Sequence, residues 1–222
     1  MDNSLKEIYE QIYNDQSIRK IYDDIEKREI INKEQAFHNF EHITNVTNMV
    51  KKILSELNVD EEIIYKAEIA SILHDVGAIE GKENHAYRSY EFAKKYFNDK
   101  KINFAGIDLV TEAIKIHSDG FETDNIIALA LILSDKLDVK KNRISEEGKK
   151  YKGNRQYAHI ENIIVNVKDK MLQIEFVTDG NMDIKEVNEY YFTKKIFKSL
   201  NAFSKKMGLE YTVLLDNREW KI

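Results

Sequence analysis

Apolar residues recur with two different periods along this chain. From the start to about Glu161 they return every three to four positions, the spacing of one helix face. After about residue 160 they alternate, the spacing of a half-buried strand. A first helix is expected within residues 3–30, with Ile8, Ile12, Tyr13 and Ile21 on its apolar side. Residues 40–57 form a second, in which Ile43, Val46, Val50, Ile53, Leu54 and Leu57 line one face. Asp60 can cap a third, which runs through Ile63, Ala67, Ala70 and Leu73 to a C-terminal cap at Gly77. Asn84 can start a fourth through Tyr87, Phe92 and Tyr96, and a fifth spans about 106–117. Asp124 then caps "NIIALALILSDKLDV", which is apolar nearly all round and so predicts a central buried helix.

The alternating stretch "NIIVNVKDKMLQIEFVTDG" predicts two strands around a polar turn at Lys168-Asp169-Lys170. Residues 184–206 return to helical spacing, and "EYTVLLD" reads as a third strand. The expected fold class is mainly α: a helical body over residues 1–159, and a small C-terminal α+β appendage over 160–222 (hairpin, helix, strand) packed on it.

Charge and composition narrow the function. The 222 residues are 42% hydrophobic and 33% charged, enough for a real core and a solvated surface. A formal net charge of −5 provides no basic footprint for a nucleic-acid polymer. With no cysteine in the chain, disulfides, zinc-thiolate sites and thiol nucleophiles are excluded, and any metal must be held by His, Asp or Glu. The opening residues lack the basic start and apolar core of a signal peptide, and no apolar run is long enough for a bilayer, so the expected location is cytoplasmic and no membrane partner is expected.

Candidate chemistry sits in the polar residues that interrupt the helices. His42 opens the second helix and His74 closes the third, His85 opens the fourth and His117 closes the fifth. Asp75 adjoins His74 in "LHDVG", and Asp135 lies inside the most apolar helix. A single histidine at a helix end is ordinarily a structural or surface residue. Asp135 is harder to dismiss, because a buried carboxylate needs a cation, either a lysine or a metal. Imidazole and carboxylate together suit Mn, Fe, Co, Ni or Zn.

The order His42, His74-Asp75, Asp135 on successive helices resembles the HD superfamily of metal-dependent phosphohydrolases. The segments "FHNFEHITNV", "ASILHDVG" and "LSDKLDV" carry the resemblance, over roughly residues 35–145. It implies an all-α fold, a divalent ion on those four residues, and hydrolysis of a phosphate ester or anhydride of a nucleotide or other small phosphorylated metabolite. Asp75 would then both bind metal and orient the nucleophilic water. "HNFEH" is similar to the HNxxH segment of cyclic-nucleotide phosphodiesterases, which implies that His38 is a proton donor and His42 a ligand. "VGAIEGKEN" lacks the next phosphodiesterase motif, so a cyclic nucleotide is not implied. His85 and His117 resemble the additional histidines of binuclear members, which implies one or two ions per chain; with one ion they would contact phosphate instead. Lys82, Arg88 and Lys136 are the candidate phosphate contacts, each with an ordinary alternative as a solvated charge. Two other readings stay open: an HD-fold di-iron oxygenase, which needs both His85 and His117, and a noncatalytic metal-stabilised binding or regulatory module. The appendage could cover the pocket, support a homodimer, or stabilise the body.

Overall fold

The computed structural model describes residues 4–222, so Asn3, where the first predicted helix begins, lies outside the described residues. Ten α-helices and a four-stranded sheet follow in chain order. The expected first helix is two. α1 (Leu5–Tyr13) ends at Asn14, and Asp15 restarts the chain as the N-cap of α2 (Gln16–Ile31), its side chain accepting from Ser17 N at 2.8 Å. Capping is the physical reason: the Asp15 carboxylate satisfies an N–H that an uninterrupted helix would have bonded internally.

α3 (Phe40–Glu56) and α4 (Glu61–Leu73) follow their predicted patterns at the N-terminal ends, with Asn39 and Asp60 as caps. The C-terminus of α4 differs from expectation. The helix stops at Leu73, and Gly77 is no cap but lies within a buried 3-10 turn, Val76–Glu80. Gly77 is required there by close approach. A Cβ on it would stand 2.5 Å from Ser89 N and closer still to His85 O, both in α5 (His85–Asp99). That contact sets the first turn of α5, and with it His85, against the end of the His-Asp segment.

α6 (Ile107–Ile116) leads to α7 (Ile126–Leu137), in which every residue from Ile127 to Leu137 is buried. Its cap is Asn125 rather than Asp124: Asn125 Oδ1 accepts from Ile127 N at 3.0 Å, while Asp124 pairs with Lys206 at 2.7 Å.

After the short α8 (Asn154–Tyr157), β1 (Ile160–Lys168) and β2 (Met171–Thr178) form the predicted hairpin. Asp169 and Lys170 both take positive φ (50° and 62°), the geometry of a two-residue turn matched to strand twist. The expected helix over 184–206 breaks at Tyr190, whose extended backbone separates α9 (Ile184–Glu189) from α10 (Tyr191–Met207). β3 (Glu210–Leu215) lies parallel to β2 through this helical crossover. β4 (Arg218–Glu219), too short to carry a period, pairs antiparallel with β3 to complete the order β1-β2-β3-β4. α10 packs on α7 and β1 on α3, so one contiguous core includes Ile43, Leu131, Phe176 and Phe203. None of the described helices is long and apolar enough to cross a membrane.

Candidate metal centre

Helix ends bring the histidines together. His42 projects from the first turn of α3, His74 caps α4, His85 begins α5, and His117 caps α6. In each, Nδ1 already has an acceptor: Asp138 Oδ2 for His42 at 2.7 Å, and backbone carbonyls of Ser71, Lys82 and Ile114 for His74, His85 and His117, each at 2.8 Å. An N–H on Nδ1 leaves Nε2 as the ligand atom in the neutral ring, the arrangement of metal-binding histidines held by outer partners.

Those Nε2 atoms converge on two carboxylates. Asp75 Oδ2 lies 3.4 Å from His42 Nε2 and 3.1 Å from His74 Nε2. Asp75 Oδ1 lies 3.3 Å from His85 Nε2 and 3.4 Å from His117 Nε2. Asp135 Oδ1 stands 3.3 Å from His42 Nε2 and 3.8 Å from His74 Nε2. The ligand atoms of His42, His74, Asp75 and Asp135 all lie within 4.8 Å of one another, as do those of Asp75, His85 and His117. Asp75 belongs to both groups.

This donor set fits a divalent ion. His42 Nε2, His74 Nε2 and both oxygens of Asp75 are buried without a hydrogen-bond partner, an arrangement that is costly unless a cation satisfies it. His85 Nε2 and His117 Nε2 face each other at 3.0 Å while both rings donate from Nδ1, so the contact also calls for a cation, whether a proton or a metal. Burial and the Arg143 charge push the His42 imidazole down, but Asp135, Asp138 and Asp75 outweigh them and raise it to about 9. Burial is likewise outweighed by Asp75 and Asp135 at His74, which rises to about 10. Without metal these rings hold protons that metal binding would release. Burial dominates at His117, which falls to about 4. Of the two cations open to Asp135, a lysine is present: Oδ2 is bound by Lys136 Nζ at 2.6 Å, while Oδ1 faces the histidines as a candidate metal ligand.

The cluster opens through Asp75, His85 and Asp135 onto a cavity of about 610 Å³. His38 lines this cavity but belongs to neither ligand group. Its Nδ1 lies 2.5 Å from Glu29 Oε1, and its backbone N–H donates to Glu29 Oε2 at 2.8 Å. Burial holds the His38 imidazole well below its usual range and pushes the Glu29 carboxyl up, both toward their neutral forms, and the short contact between them needs a proton between Nδ1 and the carboxyl oxygen. Lys82 lines the cavity and pairs with Glu34 at 3.5 Å; Lys136 lines it with its ammonium committed to Asp135. Arg88 does not reach the cavity, contrary to expectation. Its guanidinium is spent on the carbonyls of Gly77 (2.9 Å), Glu83 (2.6 Å) and Gly81, stapling the loop before α5.

Four participants carried no decisive sequence signal. Asp138 orients His42, and its spacing of three from Asp135 in "LSDKLDV" could have pointed to it. Glu29 and Arg143 come from separate segments, and nothing local marks them. Arg143 Nη1 is buried with no hydrogen-bond partner beside the cavity that the residue lines. Tyr191 reaches the same cavity from the C-terminal part.

The model of the HD domain family matches residues 39–173, most of the chain and somewhat further into the hairpin than the motif region. No curated protein matches. Among solved structures, the chain is similar to a predicted HD superfamily hydrolase from an uncultured Thermotogales bacterium, with 21% identity, a TM-score of 0.46, and coverage of 67% of this chain and 88% of that one. The match covers more than half of the chain, and together with the buried imidazole–carboxylate cluster open to a cavity it shows that the chain belongs to the HD domain family.

Proposed function

We propose that the protein is a phosphohydrolase whose two ligand groups, sharing Asp75, would hold one or two divalent ions, acting on a phosphate ester or anhydride of a nucleotide or another small phosphorylated metabolite. The observation that carries this reading is the pairing of unsatisfied buried ligand atoms with an unpaired guanidinium at one cavity: His42 Nε2, His74 Nε2 and the Asp75 oxygens on one side, Arg143 on the other. A cation and an anion are both wanted there, and a phosphoryl group drawn to metal and guanidinium supplies the anion. Bound divalent ions would lower the pKa of water toward neutrality and offset charge on the phosphoryl oxygens.

The chain's own residues do the rest. Asp138 and the carbonyls of Ser71, Lys82 and Ile114 hold the imidazoles in one tautomer. Arg143 and Lys82 orient the phosphoryl group from the cavity wall. As the water oxygen bonds to phosphorus and the bridging P–O bond breaks, His38 Nε2–H protonates the leaving oxygen. The proton held between Glu29 and His38 Nδ1 settles on the ring nitrogen, so the ring is left neutral and Glu29 is left as the carboxylate.

Release of p-nitrophenol from p-nitrophenyl phosphate and bis(p-nitrophenyl) phosphate, and of phosphate or pyrophosphate from adenosine triphosphate, with Mn²⁺, Fe²⁺, Co²⁺, Ni²⁺ or Zn²⁺ added in turn, tests the assignment. Asp135→Asn should lose metal and reduce turnover by orders of magnitude while helical circular dichroism persists. Metal-loaded protein that leaves all three uncleaved refutes it. The place of Asp75 in both ligand groups would also suit a di-iron oxygenase. That second reading predicts two irons per chain after aerobic isolation and oxygen uptake with an organic substrate; one metal per chain removes it.

A further inference from the structure

The cavity is much larger than a phosphoryl group requires, and its wall is of two kinds. The helical body contributes cations and the opening to the metal centre; the α9–α10 junction contributes Tyr190, Tyr191, Phe192 and Lys195. We infer that this C-terminal wall selects the leaving group, and that the leaving group carries a planar aromatic ring, as in a nucleoside phosphate. The inference rests on the phosphohydrolase reading for its phosphate end, and it adds the substrate class and the residues that choose it.

The wall is rigidly built except for one ring. Tyr157 is fully buried, its hydroxyl 2.8 Å from Thr193 Oγ1 and its ring edge-on to Tyr190 and Phe192 at 5.7 and 6.2 Å between centroids. Tyr190 seats on Gly153, where a Cβ would come within 2.5 Å of the Tyr190 ring and where φ is +81°. Lys195 pairs with Asp119 at 2.8 Å, tying α10 to the segment between α6 and α7. Phe192 lies 5.9 Å from Lys136 Nζ, so the wall touches the residue that balances Asp135. Tyr191 alone is left open. It meets Tyr190 at 4.8 Å and 70°, yet 61% of it is exposed.

A single exposed tyrosine is common. Here the exposed face belongs to a braced aromatic group, in the same cavity as an unpaired guanidinium and the metal ligands. A ligand that satisfies both halves has a phosphate at one end and an aromatic face at the other. An aliphatic phosphoester would use only the first. Cavities of roughly 300–1,000 Å³ accommodate small-molecule ligands, and about 610 Å³ falls within that range.

The test uses Mn²⁺-loaded protein and two non-hydrolysable probes, the methylene-phosphonate analogues of adenosine 5′-monophosphate and ribose 5-phosphate, titrated by calorimetry. Stacking on one aromatic side chain should make the adenosine analogue tighter on the order of tenfold. Tyr191→Ala should bring the ratio of the two dissociation constants toward one, and Tyr191→Phe, which keeps the π face, should preserve it. Equal affinities in the wild-type protein, no binding of either analogue, or an unchanged ratio in Tyr191→Ala would overturn the inference. Turnover of phosphoesters with equal affinities refutes the aromatic wall and leaves the phosphohydrolase reading standing. An adenosine preference that depends on Tyr191, without turnover of any phosphoester, supports the wall and refutes that reading.

Discussion

Replacing Asp138 by asparagine changes a residue that belongs to neither ligand group and hydrogen-bonds the cluster through His42. Asp138 Oδ2 takes the proton of His42 Nδ1 at 2.7 Å, and Oδ1 accepts from Asn45 Nδ2 at 3.2 Å. A carboxylate can only accept, so it compels the Nδ1–H tautomer and leaves His42 Nε2 as the ligand atom. An asparagine can offer its NH₂ to Nδ1 instead, which places the ring proton on Nε2 where the metal should bind. It also removes a negative charge from the site. Losses of this kind typically weaken metal affinity by about 10–100-fold.

The consequence can be worked through for one ion. Metal at 100 times the wild-type dissociation constant stabilises the fold by about 2.7 kcal/mol. An affinity roughly 30-fold weaker leaves about 0.9 kcal/mol at the same concentration. At about 2–4 °C per kcal/mol for a protein of this size, the metal-induced rise in Tm should fall from about 5–11 °C to about 2–4 °C. Competition with a fluorescent chelator and thermal scans with and without metal measure the two quantities independently. An Asp138→Asn affinity within twofold of wild type, with Asp135→Asn impaired in the same assay, would refute the orienting role.

His38→Ala should retain metal in the chelator assay while turnover falls roughly 100-fold or more, with Glu29→Gln impaired in the same direction; unchanged turnover in His38→Ala would exclude it as the acid. Gly77→Ala should destabilise the protein by about 1–3 kcal/mol or more, because the added Cβ meets backbone of α5 rather than a movable side chain; denaturant unfolding reads this directly, and a neutral result would contradict the close packing. Burial pushes the Asp15 carboxyl up, but bonds from Ser17, Tyr96 and Lys100 outweigh it and hold the carboxyl well below the usual carboxylate range. Its stabilising contribution is therefore present above the unfolded carboxylate pKa of about 3.9 and is lost as the pH falls toward the lower folded value. Urea unfolding at pH 7 and pH 3 should show a smaller acid loss for Asp15→Asn than for wild type, and equal losses would count against the depressed folded pKa.

Local chemistry made much of this protein legible from its residues. Periodicity placed α3, α5, α6, α7 and the β1–β2 hairpin, because each buries one face or one whole segment and therefore repeats at its own period. The positions of four histidines at helix ends were visible for the same reason. Breaks within helical patterns were not: Asp15 and Tyr190 interrupt segments whose apolar spacing continues across them. At Asp15 the side-chain cap decides, and Tyr190 packs against Tyr157 and Gly153, a glycine 37 residues earlier in the chain. Gly77 looked like a helix terminator and proved to be a contact point, since a glycine's neighbours across space leave no mark on its flanking sequence.

The same division runs through the site. Residue types in sequence order drew attention to His42, His74, Asp75 and Asp135, because a carboxylate in the most apolar helix of a cysteine-free chain needs a cation, and the resemblance to the HD superfamily nominated them as ligands. Tertiary structure decided which atoms face one another. It set the two oxygens of Asp75 toward different histidine pairs, assigned the two oxygens of Asp135 to different partners, and turned Arg88 away from the cavity while Arg143 lines it. It also brought Glu29, from α2, to His38 and placed the C-terminal aromatics and Lys195 on the wall of a cavity otherwise lined by residues between 35 and 157. Those arrangements depend on distances between segments far apart in the chain, and a period of 2 or 3.6 residues carries no information about such distances.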